Sequence, residues 1–96
     1  GVWANFSGSV ALTGVVVTNS QIGVQIVATN PGNVIFGTIN GSEFTGNITG
    51  MVARGVGGAT AYLSGTGNIL SGNTTNCTFT GGVVGSIGAT PQNCPP

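Results

Sequence analysis

Glycine recurs every few residues along this chain, 19 times in 96 residues, and the positions between are mostly Val, Ile, Thr, Ser and Asn. That pattern argues against helices. Each interior Gly costs a helix about 1 kcal/mol relative to Ala, and β-branched side chains lose rotamer freedom against the preceding turn. The straight-chain helix formers Leu, Glu, Lys and Gln are scarce. What remains is short strands punctuated by turns.

Alternation of apolar and polar residues locates the strands. Val2, Ala4, Phe6, Val10 and Leu12 form one face of a first strand, with Trp3, Asn5, Ser7, Ser9 and Thr13 opposite. Gly8 marks a bulge or bend within it. Ile22, Val24, Ile26 and Ala28 alternate next, and Asn30-Pro31-Gly32-Asn33 reads as a turn. Val34 to Ile39 is a short strand, and Asn40-Gly41 is a hairpin-type dipeptide. Phe44, Gly46, Ile48, Gly50 and Val52 alternate as an inner face, leaving Thr45, Asn47, Thr49 and Met51 outward. Ala59, Ala61 and Leu63 follow, then Cys77, Phe79 and Val83. About seven to eight short strands at this spacing predict a single all-β domain over 1–96, an antiparallel β-sandwich or jelly roll. A β-solenoid is the rival. Five aromatic-or-Leu, Ser/Thr, Gly steps hint at a repeat (Phe6-Ser7-Gly8, Phe44-Thr45-Gly46, Leu63-Ser64-Gly65, Leu70-Ser71-Gly72, Phe79-Thr80-Gly81), but their spacing is irregular.

Charge is almost absent: Glu43 and Arg54 are the only Asp, Glu, Lys or Arg residues, and there is no His. Ordinary soluble domains carry about 25% charged residues. One cation cannot make the phosphate contacts that nucleic-acid binding needs or form a polybasic lipid surface. A chain without net charge does not repel its own copies. The same inventory leaves no pair of carboxyl groups for glycoside hydrolysis, no nucleophile–base pair and no ordinary metal-ligand set. The expectation is a non-enzyme without a cofactor. No apolar run approaches the ~20 residues of a transmembrane helix.

Cys77 and Cys94, with no His and no Cys-x-x-Cys spacing, predict a disulfide rather than a metal site. It would tether the Pro-rich tail, residues 91–96, through Cys94. Five Asn-x-Ser/Thr sequons make Asn5, Asn40, Asn47, Asn73 and Asn76 candidates for N-linked glycans, with Asn5, Asn47 and Asn76 assigned to outward strand positions. Disulfide and sequons together favour an extracellular, oxidising location.

The uncharged first segment, Val2 to Val17, and sequons such as Asn47-Ile48-Thr49 resemble the glycosylated β-sandwich subunits of archaeal threads and bundling pili. The resemblance implies a homopolymeric cell-surface filament joined by donor-strand complementation, with residues 1–17 as the donated strand. Val2, Trp3, Ala4, Phe6, Val10 and Leu12 then become candidate subunit contacts. Glu43 and Arg54 join them as a pair able to set register between subunits. The alternative function is a secreted adhesin or carbohydrate-binding module, in which Trp3 and Tyr62 stack on sugars.

Overall fold

The computed structural model describes residues 2–4, 8–29 and 32–95, the first three as backbone alone. It is all-β, with twelve strands among the described residues: β1 (Val2–Ala4), β2 (Gly8–Thr13), β3 (Val16–Thr18), β4 (Ile22–Ala28), β5 (Val34–Asn40), β6 (Glu43–Thr45), β7 (Thr49–Gly55), β8 (Thr60–Ser64), β9 (Asn68–Ser71), β10 (Thr75–Gly81), β11 (Val83–Gly85) and β12 (Ala89–Thr90). Every third strand pairs with the next, giving three four-stranded sheets ordered β1-β4-β7-β10, β11-β8-β5-β2 and β12-β9-β6-β3. All nine strand pairings are parallel. The chain therefore winds as a parallel β-helix of four coils, each contributing one strand to each sheet.

The expected antiparallel sandwich is not the fold. Parallel neighbours need a long crossover between them, and here the crossover is the rest of the coil. Residues 1–17 are not one strand to be donated. They hold β1, β2 and the start of β3, paired within the chain to β4, β5 and β6. Asn40-Gly41 does not reverse the chain either; it turns it from one sheet into the next.

Left-handed residues stacked in columns make the corners. Gly14, Gly41 and Gly67 have φ of 65°, 57° and 73° at the corner between the second and third sheets. Asn19, Gly46 and Gly72 have φ of 54°, 66° and 68° at the corner between the third and first. Only Gly, and at some cost Asn, adopts this conformation readily. Each is followed by a residue whose polar groups run up the stack. At the first of these corners Val15 N donates to Ser42 Oγ at 3.1 Å, and Ser42 N donates to Asn68 Oδ1 at 2.9 Å. At the second, Ser20 N donates to Asn47 Oδ1 at 2.8 Å, and Asn47 N to Asn73 Oδ1 at 2.8 Å. The asparagine amides return bonds to carbonyls of the preceding coil: Asn68 Nδ2 to Ile39 O, Asn47 Nδ2 to Val17 O and Asn73 Nδ2 to Phe44 O.

Inside the coils, apolar side chains stack in register. Val17, Phe44 and Leu70 form one column, and Val24, Met51 and Cys77 another. Val24, Ile26, Ile35, Ile39, Phe44, Met51, Leu70 and Ile87 are fully buried, or within 2% of it.

Candidate assembly interface

The three sheets leave two kinds of surface: their outer faces and the two ends of the stack. β1, β2 and β3 are edge strands at one end, and β10, β11 and β12 at the other. Among the described residues, eight apolar side chains of these end coils are only half-buried, whereas Ile87 of the last coil is fully buried. The eight are Val10, Leu12, Val15 and Val17 at the N-terminal end, and Cys77, Phe79, Val83 and Ala89 at the C-terminal end, all packed against the core from outside. Each end is thus an apolar mouth rimmed by strand edges. Sheet edges left unpaired are templates for another strand.

The ends are also broad. Three interstrand steps of ~4.8 Å span only ~14 Å, whereas the longest dimension of the molecule is 35 Å, against 21 Å in the other two.

The two ends differ in one respect. At the C-terminal end the tail folds back, Cys94 forming an antiparallel bridge with Ile87 and a disulfide with Cys77. Ala89 N donates to Asn93 Oδ1 at 3.0 Å, so the tail also takes a donor of the last coil. Cys77 shares its column with Met51 and Val24 and so points inward, and Cys94 is fully buried. The tail therefore crosses the mouth from the β12 side to β10, as the tethered-tail expectation requires.

The predicted site residues are redistributed. Val10 and Leu12 lie at the N-terminal mouth. Asn5, Phe6 and the side chains of Val2, Trp3 and Ala4 lie outside the described part. Glu43 is exposed on the outer face of β6, between Val16 and Ile69. Arg54 is exposed on β7, between Val27 and Thr80. The two charges belong to different sheets and to interior coils, so neither marks an end.

Asn47 corrects the sequon reading most sharply. It is buried rather than outward, and its amide nitrogen, the atom that would carry a glycan, donates to Val17 O at 3.2 Å. The Asn73 amide is likewise taken, by Phe44 O at 2.9 Å and Asn76 Oδ1 at 3.0 Å. Asn40 and Asn76 are half-buried and use only their side-chain oxygens as acceptors, from Thr66 N and Asn73 Nδ2.

Tyr62 is exposed on the outer face of the second sheet, but its ring stacks on Phe36 with centroids 5.3 Å apart and planes 15° from parallel. Val84 lies in register on its other side. One face of the Tyr62 ring is taken by Phe36. No cavity opens among the described residues, and no cluster of three or more His, Cys, Asp or Glu occurs there. No helix is long and apolar enough to cross a membrane.

Sequence reasoning overlooked Val15, Val17, Phe79, Val83 and Ala89 as end residues. A signal for them existed: Gly41-Ser42 and Gly46-Asn47 recur as Gly67-Asn68 and Gly72-Asn73 at an unchanged separation. No protein-family model matches the sequence, no curated protein matches it, and no solved structure matches it either.

Proposed function

We propose that the chain is a structural subunit of an extracellular filament, joined coil on coil through the ends of its β-helix rather than by a donated strand. The observation that carries this reading is the N-terminal mouth. Val10, Leu12, Val15 and Val17 are half-buried beneath three strand edges that no described strand pairs, and a further β-coil would satisfy both the apolar residues and the edge groups. The lack of charge on either end face supports it, because nothing there repels a second copy. The disulfide is in keeping with an oxidising compartment. Surface glycans, where attached, belong at Asn40 and Asn76 among the described sequons.

The test is sedimentation and electron microscopy over a concentration series, with the chain oxidised and reduced. End-to-end oligomers or fibres in either state are the expected result. The exposed edge positions Ala11 and Val16 provide the control. Ala11→Lys with Val16→Lys places cations on the N-terminal edges, a known block to strand addition, and should abolish the assemblies. A strict monomer in both states overturns the proposal.

A further inference from the structure

The two end faces are not merely both apolar; they match. The first and last coils are the short ones. Val2 lies beside Val24 and Ala61 beside Val83, steps of 22 residues, whereas Ile22 lies beside Thr49 and Thr49 beside Thr75, steps of 27 and 26. Most of the difference sits at one corner, between the first and second sheets; the last coil is also one residue shorter between the second and third, where Leu63 and Asn68 are five residues apart and Gly85 and Ala89 four. At the first of these corners Ile26 and Ile35 are nine residues apart, and Ala53 and Ala61 eight. Phe79 and Val83 in the last coil are four apart, as are Ala4 and Gly8 in the first. The longer loops therefore belong to interior coils, and the shorter connection recurs at both ends. Among the described residues, four half-buried apolar side chains line each mouth, and none of the end strands carries a charged side chain. A second copy moved along the helix axis would set β1, β2 and β3 beside β10, β11 and β12 of the first, extending all three parallel sheets. Such a head-to-tail contact does not close on itself and generates open fibres.

One element stands in the way, the tail held over the C-terminal mouth by Cys94 through Ile87 and Cys77. We infer that the C-terminal mouth is a concealed docking surface for the N-terminal coil of a second copy, and that the disulfide-held tail is the cap that keeps it closed. The inference deepens the filament proposal and depends on it. Capping of an exposed end is a general need of stacked-repeat architectures. A covalently pinned cap gives the chain one available end when closed and two when open.

Three forms of the protein test this. The oxidised chain is compared with the same chain opened by dithiothreitol, whose two thiols become a cyclic disulfide as Cys77 and Cys94 become thiols. The third form carries Cys77→Ser and lacks residues 91–96, so no stray thiol can cross-link copies. Circular dichroism reports retention of the β fold, and microscopy with light scattering reports growth. The expected result is fibres from both opened forms, with a ~4.8 Å reflection along the fibre axis, and no fibres from the oxidised chain. Equal growth of the oxidised chain leaves end-to-end stacking standing and overturns the cap. No growth in any form overturns both. Loss of the β signal on opening means that the tail holds the fold together rather than gating an end, and this also overturns the cap.

Discussion

Asn68 shows how much of this fold one side chain can hold. It is 1% exposed, accepts a bond from Ser42 N, and donates to both Ile39 O and Gly88 O. With Ser42 and Asn47 it makes up the buried polar residues of the described chain, and no buried side-chain polar atom there lacks a partner. A buried group stripped of its partner costs about 1–3 kcal/mol. Asn68→Ala strands Ser42 N and Ile39 O at a corner, while Gly88 O keeps its bond from the backbone N–H of residue 68, so a loss of about 2 kcal/mol or more is expected in denaturant titration. Asn68→Asp is expected to be damaging as well, because it keeps the acceptor for Ser42 N and sets a carboxylate oxygen against two carbonyls. Glycopeptide mass spectrometry on the chain from a glycosylating host should find Asn47 unmodified. Occupancy at Asn47 in folded protein would contradict its place in the ladder.

At the scale of the element, the corners decide which side chains face in. Between the third and first sheets, inward positions are separated by seven residues: Val17 to Val24, Phe44 to Met51 and Leu70 to Cys77. An odd step breaks a period of two. Alternation carried from Phe44 through the corner therefore assigns Met51 outward and Ile48 inward, whereas Met51 is fully buried and Ile48 is 59% exposed. Within single strands the alternation places Val24, Ile26, Ala28, Ala61 and Leu63 inward and they are buried, although Val27, assigned to the opposite face, is buried as well. The corner glycines give a clean contrast. A Cβ on Gly41 would meet nothing within 4 Å, so Gly41→Ala should cost only the left-handed backbone penalty, about 1–2 kcal/mol. Asn19→Gly, at the equivalent residue of its own column, should be neutral or slightly stabilising by thermal unfolding.

For the whole molecule, stability and assembly meet in the tail. The Cys77–Cys94 bridge spans 17 residues, a loop whose cross-linking stabilises by about 3 kcal/mol in the chain-entropy view. Reduction should lower the unfolding free energy by about that amount, while the two interior coils, with the fully buried Phe44 and Met51, keep their β signature. A chain that unfolds completely on reduction at moderate temperature would show instead that the interior coils cannot stand alone. The short stack makes this a real contest, because its end coils are two of four and carry the half-buried residues.

The sequence by itself determined the class of structure. Scarce helix formers, recurrent glycine and local alternation dictate strands and turns, and two cysteines without histidine dictate a disulfide. Those are local or compositional properties, and a single chain segment expresses them. Only the tertiary structure decided that the strands run parallel. The repeat that would have announced it is hidden by four to five extra residues at one corner of the interior coils, which shifts the spacing from 22 to 26 and 27 residues. It also decided that Asn40-Gly41 is a bend between sheets and not a hairpin. A left-handed residue permits either, and the choice falls to the coil beneath, whose carbonyls and amides are satisfied only when the next asparagine stacks above them.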